Sequence, residues 1–180
     1  MKSYISLTAI GKDKPGIVSA ITKVLFECKC NIEDSTMTIL HGQFAMILII
    51  KLAAGVTPKT LCAKLSKSSK SLGMNLSYTN LPSLPAKKQK DKNSYVISVY
   101  GADRTGIVYN VSAFLSKEKI NITDVQTTVI KSGGKKTYVM LIETDFPKNL
   151  ALDKVSKELA ILSKSLNVAI SVNRAERTAI

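Results

Sequence analysis

Two rhythms of apolar and polar residues run through the chain. Residues 5–10, Ile-Ser-Leu-Thr-Ala-Ile, alternate in steps of two, the period of a strand with one buried face. Gly11 ends this run, and Pro15 suits the first turn of a helix, where its missing N–H costs nothing. Ile17, Val18, Ile21, Val24, Leu25 and Cys28 then recur at helical spacing and form one apolar stripe. Residues 31–40 read as a second strand, with Ile32, Met37 and Ile39 among its apolar members. His41-Gly42 supplies a turn, and residues 44–50 make a near-continuous apolar third strand. Thr57 and Pro58 open a second helix as N-cap and first residue. Its inward side is Leu61, Leu65 and Leu72, Gly73 closes it, and a short strand at 75–78 completes the unit.

The order then repeats. Strands are predicted at 95–100, 121–130, 137–143 and 168–172, and helices at about 105–117 and 150–166. The last helix turns Leu152, Val155, Leu159 and Leu162 inward, and residues 132–135, Ser-Gly-Gly-Lys, make the hairpin turn. The repetition extends to the residues themselves. Gly11, Asp13, Gly16, Ile17, Val18, Asn31, Ile32 and Asp34 fall without a gap on Gly101, Asp103, Gly106, Ile107, Val108, Asn121, Ile122 and Asp124, a shift of 90 positions. Only two copies at so long a period mean a tandem pair of compact modules, not a solenoid. Each βαββαβ unit is an α+β ferredoxin-like sandwich, a four-stranded antiparallel sheet with both helices on one face. The boundaries are a first domain at 1–80, a linker at 81–93, a second domain at 94–174 and a tail at 175–180.

Composition narrows this picture. With 45% apolar residues each half can bury a core, though units this small often lean on a neighbour. No apolar run approaches the ~18 residues needed to cross a membrane, and residues 1–4 lead straight into a strand without a signal-peptide stretch. Cys28, Cys30 and Cys62 are an odd number in the first half alone, which argues against a disulfide framework and for a reducing cytoplasm. The balance is basic, 26 Lys and Arg against 13 Asp and Glu. It is spread along the chain apart from one cluster, Lys87, Lys88, Lys90 and Lys92, in the proline-containing linker.

The candidate chemistry lies in the repeated Gly-x-Asp-x-x-Gly-Ile-Val, where the first strand of each unit hands over to its first helix. One glycine permits a tight turn, a second lets a ligand approach, and free N–H groups at a helix start favour a carboxylate. Asp13 or Asp103 can accept from an ammonium group, and Asn31 or Asn121 offers donor and acceptor at the start of the next strand. Together these groups fit a zwitterionic amino acid. They also fit a plain structural account in which the glycines shape the loop, the Asp caps the helix and the Asn closes a turn.

Other chemistry lacks support. Cys28-x-Cys30 has no second pair or histidine cluster to make a zinc site, so Cys28 reads as a small core residue. His41, the only histidine, reads as a solvated turn residue. Ser66, Ser68, Ser69 and Ser71 with Lys64, Lys67 and Lys70 read as the wet face of a helix. There is no Walker motif and no catalytic constellation. Basic charge on a ferredoxin-like fold invites a nucleic-acid reading, a stand-alone basic binding protein. Against it, the third strands at 44–48 and 138–142 lack the stacking aromatics of an RNA-recognition sheet, and no helix-turn-helix pattern occurs.

On residues 13–18 with Asn31-Ile32, and 103–108 with Asn121-Ile122, the chain resembles a tandem ACT-domain protein, an amino-acid-binding regulatory module. With two such units, no enzymatic domain and the strand pair at 34–46, it is similar to the glycine cleavage system transcriptional repressor family. The resemblance covers roughly residues 2–173; formyltetrahydrofolate deformylases carry a similar N-terminal unit. It implies a ligand between two ACT units, held by the strand-to-helix loop and the Asn before the second strand. Carried over by residue, that selects Asp13, Gly16, Ile17 and Asn31, and Asp103, Gly106, Ile107 and Asn121. Thr105 stands where the first copy has Pro15, which predicts a less rigid second loop. The resulting expectation is a non-enzymatic, cytoplasmic regulator with no cofactor or metal. It would sense a small amino acid, glycine or serine first, pair as a homodimer and act through a protein partner.

Overall fold

The computed structural model describes residues 3–84, 93–132 and 134–175. These form two compact units, each around its own hydrophobic core. The first runs β1 (Tyr4–Lys12), α1 (Ile17–Glu27), β2 (Asn31–Leu40), β3 (Gln43–Lys51), α2 (Pro58–Leu72) and β4 (Met74–Leu81). The second runs β5 (Ser94–Gly101), α3 (Ile107–Lys117), β6 (Asn121–Ser132), β7 (Lys135–Asp145), α4 (Leu152–Leu166) and β8 (Val168–Arg174). Both sheets are antiparallel, in the order β2-β3-β1-β4 and β6-β7-β5-β8. This is the expected α+β architecture, a ferredoxin-like βαββαβ unit made twice.

The period-two pattern is realised where it is strictest. Ile5, Leu7 and Ala9 of β1 and Phe44, Met46, Leu48 and Ile50 of β3 point into the first core. Ile17, Ile21 and Leu25 of α1 and Leu61 and Leu65 of α2 meet them, each burial contributing about 2 kcal/mol. Ile97, Val99, Met140 and Ile142, with Val111, Leu115, Val155 and Leu159 of the helices, do the same in the second unit. The apolar residues of β2 are an exception. Met37 and Ile39 pair with Met46 and Phe44, yet stay 50% and 60% exposed, because β2 is an edge strand.

Helix starts differ from the periodicity. Pro15 lies two residues before α1, because Gly16 at φ 94° and ψ −9° cannot belong to a helix and caps it instead. Gly106 at φ 94° and ψ −12° likewise delays α3 to Ile107. Residues 147–150 form a turn, closed by Leu150 N–H donating to the Pro147 carbonyl at 3.1 Å, and α4 begins at Leu152. Thr57 caps α2 as expected, in a reciprocal capping box with Thr60, and Gly73 ends that helix at φ 68°. Ser69 is not on the wet face of α2: it is buried, its Oγ donating to the Ser66 carbonyl at 3.2 Å. The linker's lysine cluster and residues 176–180 of the tail lie outside the described residues.

Candidate functional site

The β1–α1 loop owes its shape to backbone contacts. The Asp13 N–H donates to the Gly42 carbonyl at 2.8 Å, tying the loop to the β2–β3 turn. Lys14 Nζ reaches the Leu72 carbonyl at 3.3 Å, at the end of α2. Gly16 is the N-cap, and among the described residues no side chain caps the first helical N–H groups. The first intrahelical bond from the cap is Ala20 N–H to the Gly16 carbonyl, at 2.9 Å, so the N–H groups of Ile17, Val18 and Ser19 precede the ladder. A Cβ on Gly16 would meet nothing within 4 Å, so the space beside the capping residue itself is open. Helix starts of this kind carry partial positive charge and suit a carboxylate. The Asp13 carboxylate stands exposed in the same loop and is not the helix cap. The Ile17 side chain is 1% exposed within the core, so what Ile17 can offer a ligand is its N–H.

The two glycines divide their work differently from the sequence expectation. Gly16 makes the sharp turn. Gly11 stays in β1, where a Cβ would come within 2.5 Å of Met74 Sδ and 2.9 Å of the Gly73 carbonyl oxygen. Its lack of a side chain serves the close approach of β4, and Gly101 does the same for Val168 at 2.7 Å.

Asn31 is elsewhere. It opens β2 and pairs with Lys51, whereas the loop follows Lys12, which pairs with Gln43. At ~3.3 Å per residue along β3, that separation is about 26 Å. Asp13, Gly16 and Ile17 are therefore brought together, and Asn31 sits at the opposite end of the same sheet. Its Nδ2 donates to Glu33 Oε1 at 3.1 Å, beside a β-bulge between Ile32 and Asp34.

The second unit repeats the arrangement. Asp103, Gly106 and Ile107 share one end, with the Ile107 side chain buried, and Asn121 pairs with Asp145 at the other. The bulge recurs between Ile122 and Asp124. Near-identical dihedrals at Gly16 and Gly106 mean that Thr105 in place of Pro15 leaves the cap geometry unchanged.

Two differences in side chains were missed by the motif. Asn110 stands where α1 has Ala20, and its Nδ2 donates to the Gly106 carbonyl at 2.8 Å. Tyr138 pairs with Gly101 as Phe44 pairs with Gly11, and its buried hydroxyl contacts Met140 Sδ at 3.6 Å. Burial, then the Asp103 carboxylate, pushes the Tyr138 phenol up from its ordinary value. Asn110 was visible in the gapless alignment. The Tyr138 match appears only once the longer second hairpin is allowed for.

The remaining candidates fall where their neighbours put them. Cys28 is buried in the core and His41 sits exposed in its turn at φ 49°. No group of three or more potential metal ligands occurs among the described residues. No described helix is long and apolar enough to cross a membrane. On the face away from the helices, β3 carries Ala45, Ile47 and Ile49, and β7 carries Leu141 and the buried Val139, the latter paired with the exposed Tyr100 of β5. Neither row offers an aromatic platform for bases.

Comparison with known proteins adds the following. The model of the ACT domain family matches residues 3–79 and 93–173. A UPF0237 protein of Methanopyrus kandleri is 41% identical over 71 residues, 39% of this chain and 79% of the relative. The glycine cleavage system transcriptional repressor of Escherichia coli is 45% identical over 47 residues, 26% of this chain and 25% of the repressor. Among solved structures, a protein of unknown function from Galdieria sulphuraria aligns at TM-score 0.82 with 26% identity, covering 98% of this chain and 100% of that one.

Proposed function

We propose that this chain, which belongs to the ACT domain family, is a non-catalytic sensor of a small amino acid, glycine or serine first. Occupancy would pass to a protein partner in transcriptional or metabolic regulation. The observation that carries the reading is the glycine-capped helix start at Gly16, without a side-chain cap and made again at Gly106, each beside an exposed aspartate. Free N–H groups suit a carboxylate and the aspartate suits an ammonium, which is the charge pattern of an amino acid backbone. The regulatory side of the reading draws on the similarity to a protein named as a transcriptional repressor, of which the match covers 25%.

The distance from loop to asparagine bears on how such a site is completed. A loop and an Asn about 26 Å apart cannot hold one small ligand within a unit. β2 and β6 are edge strands, and an edge is stabilised by pairing with another strand. In an antiparallel pairing of two β2 edges, the Asn31 end of one copy lies beside the β1–α1 loop of the other. We therefore read the protein as a homodimer with Asp13, Gly16 and the Ile17 N–H of one copy facing Asn31 of the next. Asp103, Gly106, Ile107 and Asn121 are read in the same way. The domains are taken as 1–80 and 94–174, joined by the basic linker, and a reducing cytoplasm suits three free cysteines. A nucleic-acid role is disfavoured by the apolar, non-aromatic rows that β3 and β7 carry on the face away from the helices.

A thermal-shift screen of the twenty amino acids tests the reading. Glycine or serine should raise the melting temperature, since a ligand at 100 times its Kd adds about 2.7 kcal/mol. A melting temperature unmoved by every amino acid at millimolar concentration contradicts it.

A further inference from the structure

The duplication lets each unit serve as a reference for the other, and the two differ where the first helix of a unit ends and its second begins. In the first unit a cavity of about 450 Å³ lies there, lined by Cys28, Val56 and Leu61 and by the β3–α2 loop. Cys28, which ends α1, matches Glu118, which ends α3. Thr60, third in α2, matches Lys154, third in α4. Glu118 and Lys154 span the corresponding place in the second unit with an ion pair at 2.7 Å. The loops correspond too, since Val56 N–H donates to the Ala53 carbonyl and Leu150 N–H to the Pro147 carbonyl, both at 3.1 Å. Ala53, Ala54 and Gly55 therefore stand where the second unit has Pro147, Lys148 and Asn149. Every one of these exchanges puts the smaller side chain in the first unit.

Charge differs along with size. In the second unit Glu118, through its hydrogen bond, and then Glu158 hold the Lys154 ammonium above its ordinary value. In α2 the position of Glu158 belongs to Lys64. The first unit's cavity is thus lined by Lys29 and Lys64 against one carboxylate, Glu27, all three exposed. Neither ammonium has an ion-pair partner among the described residues. The Thr60 hydroxyl is already bonded, donating to the Thr57 carbonyl at 2.9 Å.

We propose that this cavity is a binding site of the first unit alone, for a small organic monoanion. Its carboxylate lies between Lys29 and Lys64, and its short apolar body rests against Cys28, Val56 and Leu61. The volume is of the size that small-molecule sites have, an apolar floor with a few polar groups at the edge. The net positive lining favours an anion over a zwitterion or a cation. Helix α1, 11 residues long, separates Cys28 from Gly16 by about 17 Å, so this site is distinct from the amino-acid site proposed above.

The test is a titration of the full chain, labelled with nitrogen-15, with sodium butyrate. Butylammonium chloride and inorganic phosphate are run in parallel at matched ionic strength. Butyrate should shift the amides of residues 27–29 and 53–56 saturably, while those of 117–119 and 148–150 stay in place. In Lys64→Glu, butyrate affinity should fall about tenfold, as an attraction becomes a repulsion. Cys28→Glu combined with Thr60→Lys rebuilds the second unit's ion pair, and the butyrate shifts should vanish. Lys64 is exposed, so its variant keeps the fold and decides the matter if the double variant does not fold. No saturable shift in the first unit, or equal butyrate affinity in the parent and Lys64→Glu, overturns the proposal. So does butylammonium or phosphate binding there as tightly as butyrate, which would mark a plain apolar surface or a plain anion site. None of these outcomes bears on the amino-acid reading of the β1–α1 loop, whose reporters are the amides of residues 17–19.

Discussion

Gly11 and Gly16 are required for unlike reasons, and the difference is measurable. A Cβ at position 11 would press on Met74 Sδ at 2.5 Å and on the Gly73 carbonyl oxygen, backbone that cannot move without shifting β4. Position 16 has room around it, and its demand is the left-handed φ of 94°. Gly11→Ala should therefore cost about 1–3 kcal/mol through overpacking, read by chemical denaturation of the unliganded chain. A variant as stable as the parent would mean that the approach of β4 does not depend on the missing side chain. The sequence marks both residues as necessary but not which job each has. The neighbour that decides for Gly11 is Met74, far along the chain, and no local pattern links them.

Among the elements, those with strong local chemistry were legible. Thr57 and Pro58 announce α2, and the helix does start at Pro58 with Thr57 and Thr60 bonded to each other's backbone N–H. Thr57→Ala should cost about 1 kcal/mol in thermal or denaturant unfolding, with the ligand response untouched. A loss near zero would show that the capping box is redundant with the burial of Leu61 and Leu65. The starts of α1 and α3 were less legible, since Pro15 looks like a first helical residue and only the Gly16 backbone shows otherwise. The exposure of β2 was also hidden. Met37 and Ile39 look like core residues along the strand, and only the strand order reveals that β2 lies at an edge beyond the helices' cover.

At the scale of the whole molecule, the duplication was the most readable feature, because matched glycines, aspartates and Asn-Ile pairs need no structure to be seen. What the repeat could not convey is distance. Asp13 and Asn31 are close in sequence, and each recurs in step with the other, yet helix α1 carries the chain from one end of the sheet to the other between them. The proposed site, which uses both, would be assembled from two copies of the chain. It is tested most directly by calorimetric titration of glycine or serine into the parent chain and into the Asn31→Ala, Asn121→Ala double variant. Each exposed strand-start Asn contributes little to a core, so the unliganded melting temperature should hold. Affinity should fall by the loss of a charge-assisted hydrogen bond, about 1.5–3 kcal/mol. Unchanged affinity, with a sharply lowered melting temperature, would make both asparagines structural and contradict the site.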